Sequence, residues 1–304
     1  MGDAVLSGMR VLVTGAAGFI GAALCRRLLA DGADVHGVSR TPRDSDHLRW
    51  LPVDLADPGP ARRVVDDVGP DVVFHLASHV SGDRSLEAVG PTLRDNLLTT
   101  VNLLTAATES GRPLVVLAGS MEAWGPGDPD PVPNSPYAAA KAAATAYARM
   151  FGALYDLPVV SLRLAMVYGP GQLDTTKLVP YVTTSLLRAE PPRLTSGARG
   201  VDWVYIDDAV DAFMAAATSA QAAGSTIDVG SGELVTIRAL VEQIAALVGG
   251  DVQPIFGALG DRPLERQRVA DVAAARELLG WAPTTPLGAG LARTVAWYRG
   301  QLVP

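Results

Sequence analysis

Short apolar runs alternate with segments of helical periodicity along the first half of the chain. The first apolar run, residues 11–13, leads into three glycines at three-residue spacing, Gly15, Gly18 and Gly21, and a helical pattern begins at Phe19. Apolar runs bounded by turn residues are typical of strands buried on both faces, and apolar positions three or four apart are typical of amphipathic helices. The alternation predicts an α/β fold built on a doubly wound parallel sheet with right-handed crossovers.

The pattern continues to the end of the chain. Strands are predicted at residues 11–14, 34–38, 50–53, 71–77, 114–118, 201–205 and 227–229. Helices are predicted at residues 19–30, 61–68, 92–110, 137–155, 177–188, 208–217, 237–248, 271–279 and 291–298.

The glycine-rich turn lies where the first strand meets a helix N-terminus. The N–H groups of a first helical turn have no partners within the helix, and the helix dipole adds about half a positive charge there. Because glycine lets the backbone approach a ligand closely, we predict that this turn binds the pyrophosphate of a dinucleotide. The residues assigned to this site are Gly15, Gly18, Phe19, Ile20 and Gly21. The alternative is a tight structural turn, since the glycine spacing differs from the commonest dinucleotide motif.

The second strand ends at Ser39 and Arg40. In NAD-binding folds an acidic residue at this point holds the adenosine ribose, and its charge would repel a 2′-phosphate. A hydroxyl and a guanidinium bind a phosphate instead. The sequence therefore favours NADP over NAD, with NAD as the alternative cofactor and a solvated basic loop as the alternative without a ligand.

The fourth predicted strand ends in small residues. Leu76, Ala77 and Ser78 leave room for a cofactor to lie over the end of the strand. His75 and His79 flank these residues. They are either proton donors or structural residues close to the site.

A second candidate centre follows the fifth strand. Ser120 lies just past this strand, and Tyr137 and Lys141 lie four residues apart on one face of the next predicted helix. An ammonium about 4 Å from a phenol favours the phenolate by roughly 4 kcal/mol, which would bring the tyrosine pKa from about 10 toward 7. We predict that Tyr137 acts as an acid/base.

Composition excludes several other classes of protein. The chain has 304 residues, of which 48% are hydrophobic and 19% charged, and its formal net charge is −7. These values predict a globular protein without a nucleic-acid or anionic-membrane partner. The single cysteine, Cys25, cannot form an internal disulfide, and no Cys/His cluster has metal-ligand spacing, so no metal is expected. Without a signal-peptide pattern or an apolar stretch of about eighteen residues, we expect a cytoplasmic protein.

The chain resembles the extended short-chain dehydrogenase/reductases, most of which are nucleotide-sugar epimerases, dehydratases, decarboxylases and reductases. The resemblance rests on residues 14–21, Ser120, Tyr137 with Lys141, and residues 162–172, 202–208 and 279–283. It implies a Rossmann domain over residues 1–165. It also implies a smaller, mostly C-terminal substrate-binding lobe over residues 166–304, interleaved with the first domain.

The resemblance implies roles for the catalytic residues. Tyr137 would exchange a proton with the substrate oxygen, and Ser120 would hydrogen-bond the same oxygen. Lys141 would lower the tyrosine pKa and hold the nicotinamide ribose.

The resemblance also implies further cofactor contacts and an oligomeric state. Asp54, followed by Leu55, matches a position that contacts adenine, and Asn96 matches an asparagine near the nicotinamide. Family members pair two long helices into a dimer interface, so a homodimer is expected.

Two regions depart from the family pattern. Related dehydratases carry Asp-Glu after the serine or threonine, whereas this chain has Met121 and Glu122, so the acid that expels water is missing. Glu122 is either a second acid/base or a structural residue. Nucleotide-sugar enzymes usually have asparagine in place of Met166, and often arginine in place of Val201 and Ala258. The candidate substrate-binding residues are Met166, Arg199, Arg262 and Arg268.

These observations predict an NADPH-dependent ketoreductase. The predicted substrate is a nucleotide-linked 4-keto deoxysugar or a related secondary-metabolite ketone. The first alternative is a nucleotide-sugar 4-epimerase with tightly bound NAD. The second is a non-catalytic NAD(P)-sensing protein, which would not need Ser120, Tyr137 and Lys141 together.

Overall fold

The chain forms two compact units. A computed structural model describes residues 6–43, 48–123 and 132–302. The first unit consists of Met1–Leu164, Val210–Asp228 and Ala273–Trp281, and the second of Ala165–Ala209, Val229–Val272 and Ala282–Pro304. The chain therefore passes from one unit to the other several times.

The first unit is built on a seven-stranded sheet. Its strands are β1 Arg10–Thr14, β2 Asp34–Ser39, β3 Arg49–Pro52, β4 Val72–His75, β5 Leu114–Ser120, β6 Val159–Leu164 and β9 Thr226–Val229. Their order is β3-β2-β1-β4-β5-β6-β9, and the five pairs from β3 to β6 are parallel. The predicted doubly wound parallel sheet is confirmed.

The strand order reverses between β1 and β4. In register, Thr14 at the end of β1 lies beside His75 at the end of β4. Ligands of open α/β sheets bind outside the carboxyl ends of the strands at such a reversal point. The glycine-rich turn leaves β1 at this point, which is where the sequence predicts the dinucleotide site.

Helices cover the sheet of the first unit. They are α1 Phe19–Ala30, α2 Pro58–Val68, α3 Val89–Thr92, α4 Thr99–Glu109 and α5 Pro136–Tyr155, and a 3-10 turn at Leu86–Ala88 precedes α3. Two of them have side-chain caps: the Asp57 carboxylate accepts from the Gly59 N–H at 3.1 Å, and the Ser135 hydroxyl oxygen from the Ala138 N–H at 3.1 Å. Such caps satisfy backbone donors that the helix leaves unpaired, which explains where α2 and α5 begin.

A π-helical segment, Leu93–Leu98, joins α3 to α4. The hydroxyl groups of Thr99 and Thr100 donate to the carbonyl oxygens of Asp95 and Asn96, at 2.9 and 2.7 Å. These bonds satisfy carbonyl groups where the regular helical ladder is interrupted. The sequence pattern predicts one continuous helix over residues 92–110, whereas the structure divides this stretch into the π-helical segment and α4.

The core lies between the sheet and its helices. Leu12, Val73 and Val115 from the strands pack in one cluster with Leu103 and Phe151 from the helices. Burial of each such side chain contributes about 1.5–3 kcal/mol. At the β9 edge of the sheet, an ion pair of 2.7 Å between the nearly buried Arg163 and Asp228 joins β6 to β9.

The second unit contains a three-stranded sheet and most of the C-terminal helices. Its strands are β7 Met166–Tyr168, β8 Gly200–Tyr205 and β10 Leu234–Thr236, in the order β10-β8-β7. The remaining helices are α6 Leu178–Leu187, α7 Ile206–Thr218, α8 Ile237–Val248, α9 Val272–Leu279 and α10 Leu287–Leu302. The chain crosses into the first unit within α7 and again at α9.

One buried carboxylate organises the loops of the second unit. Asp202 accepts hydrogen bonds from the backbone N–H and hydroxyl of Ser231 at 2.6 and 2.8 Å. It also accepts from the N–H groups of Gly232 and Ala270 at 3.1 and 3.0 Å. Hydrogen bonds to a charged group are among the stronger ones in proteins, so Asp202 fixes the segment that contains Arg268.

The sequence pattern located most elements but not all. The strands β6, β7 and β10 were not predicted, and β4 ends at His75 rather than at residue 77. Of the residues that the structure describes, no helix has the length and apolar character needed to span a membrane.

Candidate active site

The glycine-rich turn is packed too tightly for other residues at two positions. Gly15 has a φ of +69°, and a Cβ there would lie 2.7 Å from the carbonyl carbon of Leu76 and from the backbone nitrogen of Ala77. A Cβ on Gly21 would lie 2.2 Å from the carbonyl oxygen of Gly15. Gly15 therefore rests directly on the residues that follow β4, and Gly21 rests on Gly15, so both positions require glycine.

The N-terminus of α1 fits a pyrophosphate group. Gly18 caps the helix in an extended conformation and is exposed, and no side chain caps the first turn. No acidic residue lies in that turn, which begins with the half-buried Phe19 and Ile20. The unpaired N–H groups and the positive end of the helix dipole are therefore available to an anion.

A buried hydrogen-bond chain lies under the turn. His75 Nδ1 is 2.7 Å from the Thr14 hydroxyl, and His75 Nε2 is 3.0 Å from the Thr100 hydroxyl. The Thr14 oxygen also accepts from the Ala77 N–H at 3.1 Å. Burial, and then the charge of Lys141, lower the pKa of His75 to about 3, so His75 is neutral. We infer that Thr14 donates to Nδ1 and that Nε2–H donates to Thr100, which makes His75 a structural link rather than a proton donor.

Asn96 fixes the segment after β4. It is fully buried within the π-helical segment. Its side-chain oxygen accepts from the Ser78 hydroxyl at 2.8 Å and the His79 N–H at 2.7 Å, and its amide nitrogen donates to the His79 carbonyl at 3.1 Å. The side chain thereby positions Ser78. Its direct contact with a cofactor remains a prediction.

Three hydroxyl groups meet at the candidate catalytic centre. The side chains of Ser120 and Ser78 lie close enough to the Tyr137 hydroxyl to lower its pKa by hydrogen bonding. Ser120 is buried at the end of β5, and its oxygen also accepts from the Glu122 N–H at 3.1 Å. The structure thus brings together Ser120 and Tyr137, as predicted, and adds Ser78, which the sequence assigned only to the cofactor site.

Lys141 lies near Tyr137 and is hydrogen-bonded to the backbone of β5. Its Nζ donates to the Ala118 carbonyl at 2.8 Å and lies 5.9 Å from the centre of the Tyr137 ring. Burial raises the pKa of Tyr137, the Glu122 charge raises it further, and the hydrogen bonds from Ser120 and Ser78 lower it. The pKa of Tyr137 is therefore raised, whereas the sequence predicts a lowered one, because burial outweighs the hydrogen bonds.

Lys141 is itself perturbed by its surroundings. The side chain is almost completely buried, and this burial lowers the pKa of its ammonium group to about 8. A lysine kept in an apolar site at a cost in stability is typical of a functional group. Glu122 is exposed, and its effect on the pKa of Tyr137 places its charge near the phenol.

A chain of charged residues lies beside the ends of β2 and β3. Arg40 Nη1 is 3.0 Å from one oxygen of Asp95, and Arg94 Nη1 is 2.7 Å from the other. The other terminal nitrogen of Arg94 contacts Asp54. Ser39 lies half-buried at the end of β2, with its hydroxyl 3.4 Å from that of Thr41. The predicted phosphate-binding arginine is thus already paired with a carboxylate.

Three other predicted cofactor residues have backbone or core positions. The Leu55 side chain is buried in the core, and its carbonyl accepts from Asn102 at 2.9 Å. Leu76 and Ala77 are half-buried directly beneath Gly15. They are placed to shape the surface on which a cofactor would lie, and their contact with one remains a prediction.

The candidate substrate residues all lie in the second unit. Met166, at the start of β7, is 36% exposed. Arg199 Nε is 3.0 Å from the Glu265 carboxylate, and Glu265 lies in the loop that also contains Arg262 and Arg268. Arg262 is exposed and Arg268 half-buried. The structure groups three of the four by this loop, and their substrate contacts remain predictions.

Several residues that organise the site were not predicted from the sequence. Thr14, Thr100, Arg94 and Asp95 complete the networks around the predicted residues. Thr14 directly precedes Gly15, and this adjacency was an available indication. The contact of Asp95 with Arg40, 55 residues away in the sequence, had none. In the described part of the chain, no group of three His, Cys, Asp or Glu side chains is arranged to hold a metal.

Comparison with known proteins identifies the family. A family model described as the NAD dependent epimerase/dehydratase family matches residues 11–230. The chain belongs to this family. It is therefore an oxidoreductase-type enzyme of the extended short-chain dehydrogenase/reductase type, as the resemblance in the sequence implied.

Members of the epimerase/dehydratase family with related sequences and structures cover nearly the whole chain. A UDP-glucose 4-epimerase of Mycolicibacterium smegmatis is 36% identical over 96% of this chain and 99% of its own. A dTDP-glucose 4,6-dehydratase of Streptomyces griseus is 32% identical over 95% of this chain and 93% of its own. The structure of a Thermus thermophilus UDP-glucose 4-epimerase in complex with NAD has 30% identity and a TM-score of 0.86, over 97% of this chain and 100% of its own.

Proposed function

We propose that this protein is an NAD-dependent 4-epimerase of a nucleoside diphosphate-linked hexose, such as UDP-glucose. The observation that carries the proposal is the cluster of Tyr137 with Ser120 and Ser78, in a chain that aligns from end to end with a UDP-glucose 4-epimerase. The cluster supplies one proton carrier and hydrogen bonds for one oxygen. That is what a reversible oxidation at a single carbon requires.

The chain's own residues would handle the proton. Bound NAD would supply a reversible hydride acceptor. The phenolate form of Tyr137, which the positive charge of bound NAD⁺ would favour, would take the proton of the C4 hydroxyl. The resulting phenol would later return it, while the Ser120 hydroxyl would hold the same substrate oxygen. Lys141, one helical turn from Tyr137, would bind the nicotinamide ribose.

Met121 argues against the dehydratase chemistry of other relatives. Loss of water from a sugar needs an acid to protonate the departing hydroxyl. At the position where related dehydratases carry the aspartate, this chain has Met121, which is 9% exposed and has no acidic proton. Glu122 is the one acid beside the cluster in the described chain, and we assign it an electrostatic effect on Tyr137 rather than a second proton transfer.

An NADPH-dependent 4-ketoreductase is the second candidate. The specific observation in its favour is Ser39 with Arg40 at the end of β2, where a carboxylate would mark an NAD site. We rank this candidate second because Arg40 is already paired with the Asp95 carboxylate. The non-catalytic alternative is not favoured, since a cofactor sensor has no need of the hydroxyl cluster at Tyr137.

Two further assignments belong to the proposal. Met166, Arg199, Arg262 and Arg268, within a lobe over residues 166–304, would bind the sugar nucleotide. The chain would form a homodimer through α5 and the continuous helical stretch from α3 to α4, because apolar side chains on these two segments are exposed. These are Val89, Leu93, Leu98, Tyr147, Leu154 and Tyr155.

Cofactor content and turnover together test this function. The purified protein would be denatured and its nucleotides separated by chromatography, and a second sample would be incubated with UDP-glucose without added cofactor. We expect NAD in the extract and UDP-galactose in the incubation. A protein that holds no NAD, leaves UDP-glucose unchanged and oxidises NADPH with a 4-keto sugar would be the reductase instead.

A further inference from the structure

We propose that Asp95 sets the cofactor specificity of this enzyme by holding Arg40 in an ion pair. Arg40 is then withheld from the 2′-phosphate of NADP, so the enzyme selects NAD although Ser39 and Arg40 at the end of β2 are typical of an NADP site. The inference rests on the proposed use of NAD. It assigns to a residue on the π-helical segment the role that an acidic residue at the end of the second strand has in other NAD-binding folds.

The first support is the geometry of the charged chain. Asp95 uses both oxygens, one toward Arg40 at 3.0 Å and one toward Arg94 at 2.7 Å, and Arg94 continues to Asp54. Burial opposes the ionisation of Asp54. Hydrogen bonds from Arg94 and Ala56, and the charges of Arg94 and Arg40, outweigh it and lower the pKa of its carboxyl. Arg40 is therefore close to two carboxylates.

The second support is the charge balance. Arg40 and Arg94 carry two positive charges, and Asp54 and Asp95 carry two negative ones, so the chain of four is neutral. A 2′-phosphate adds about two negative charges and needs uncompensated cations around it. The 2′-hydroxyl of NAD has no charge and makes no such demand. The neutral chain therefore favours NAD even though Ser39 replaces the usual acid.

The third support is that the two partners differ in their freedom to move. The Asp95 side chain is 17% exposed and is held between two arginines, one position before the buried Asn96. The Arg40 side chain is 64% exposed and has this one ion pair among the described contacts. Because the exposed Arg40 side chain has room to reorient, removing the charge of Asp95 frees its guanidinium to bind another anion.

The test is a competition between NAD⁺ and NADP⁺ for the full-length protein. Both nucleotides, at equal concentration, are equilibrated with the protein, and the bound nucleotides are released by denaturation and quantified. We expect NAD⁺ to predominate in the parent protein. Asp95→Asn should raise the bound NADP⁺:NAD⁺ ratio about tenfold to a hundredfold, which is the effect of one charge-assisted hydrogen bond.

Four other variants separate this inference from a general effect of charge. Arg40→Ala alone should leave the bound NADP⁺:NAD⁺ ratio within about twofold, because Arg40 is already paired with Asp95. The double variant, Asp95→Asn with Arg40→Ala, should return the ratio to the parent value. Asp66→Asn, which removes a carboxylate paired with Arg62 on α2, changes the net charge equally and should have no effect. Asp95→Ser repeats the test with a smaller side chain.

The possible failures are distinguishable. A parent protein that already prefers NADP⁺ would contradict the proposed use of NAD. A parent that prefers NAD⁺, with an unchanged ratio in both Asp95 variants, would overturn the role of Asp95 alone. A shift that persists in the double variant would also overturn it, because Arg40 would then not be the group that Asp95 controls.

Discussion

Tyr137 is the residue on which the proposed chemistry depends. Its hydroxyl is the group that Ser120 and Ser78 hold in the hydroxyl cluster. Tyr137→Phe removes this hydroxyl and leaves the ring, so the fold and NAD binding should be retained while kcat falls about 10²- to 10⁴-fold. Steady-state rates of UDP-glucose epimerisation, with circular dichroism and bound NAD as controls, provide the measurement. A variant as fast as the parent would exclude Tyr137 as the proton carrier.

We expect the buried Lys141 to lower the stability of the folded protein. Its pKa of about 8 lies below the value of about 10.4 in an unfolded chain. The charged Lys141 therefore lowers the free energy of unfolding, and this penalty has its full size below about pH 8. Lys141→Met should raise the free energy of unfolding at pH 7 by about 1–3 kcal/mol, a net gain that includes loss of the hydrogen bond to the Ala118 carbonyl. The same variant should abolish turnover.

The pH dependence distinguishes this effect from better packing. The unfolded chain binds more protons at Lys141 between about pH 8 and 10.4, so the penalty on the parent declines there as the pH rises. Urea unfolding of both proteins should show the gain from Lys141→Met shrinking to less than half at pH 9.5. A gain equal at pH 7 and pH 9.5 would mean that the charge is not its cause.

Contacts between residues close in the sequence could be predicted, whereas contacts between residues far apart in the sequence could not. The spacing of Tyr137 and Lys141 fixes their common helix face, and the position of Ser120 follows from the end of β5, so all three could be proposed from the sequence. The sequence predicted a lowered Tyr137 pKa, whereas burial raises it, because burial is a property of the whole packed site. Arg40 was assigned to a phosphate since its partner Asp95 lies on a distant helix.

The π-helical segment connects the cofactor turn to the catalytic hydroxyl groups. Asn96 positions Ser78, and the Asn96 carbonyl accepts from Thr100, which in turn meets His75 and, through it, Thr14. Interruptions of this kind in helices are frequent at functional sites. The periodicity of the sequence shows a helix here but has no feature that marks the extra residue per turn.

His75 should make the stability of this network depend on pH. Its folded pKa of about 3 lies below the unfolded value of about 6.5, so the unfolded state binds more protons between these values and stability falls as the pH falls below 6.5. The loss from this residue should be about 1.4 kcal/mol between pH 7.5 and pH 5.5.

Two glutamine variants isolate the contribution of His75. His75→Gln should flatten the pH dependence of urea unfolding by that amount, although it lowers stability at pH 7.5 by disturbing the bonds to Thr14 and Thr100. His79→Gln, at an exposed histidine, serves as the matched control and should keep the parent slope. Equal slopes for the parent and His75→Gln would show that His75 is not held neutral.

Among the larger elements, long and strongly patterned segments were predicted best. The helices α1, α5 and α8 agree with the sequence pattern within one residue, because each has sustained periodicity and turn residues at its ends. The strands β7 and β10 have three residues each, too few for an alternation to be recognised, and they exist because they pair with β8.

At the scale of the whole molecule, the proposed homodimer can be tested directly. Light scattering coupled to size-exclusion chromatography at micromolar concentration should give about twice 31.6 kDa. Leu154→Glu places a charge on the exposed apolar face of α5 and should shift the protein toward monomer. Leu173→Glu, at a somewhat more exposed leucine in the second unit, should not. A monomeric parent would reject the proposed interface.

The central claim is that one bound NAD oxidises C4 of a sugar nucleotide and returns the same hydride. Its most direct test is the incubation of UDP-glucose deuterated at C4 with the enzyme and an excess of unlabelled NADH, followed by NMR of the products. The account predicts UDP-galactose that keeps its deuterium at C4. Formation of no UDP-galactose, or of UDP-galactose that has lost the label, would contradict it.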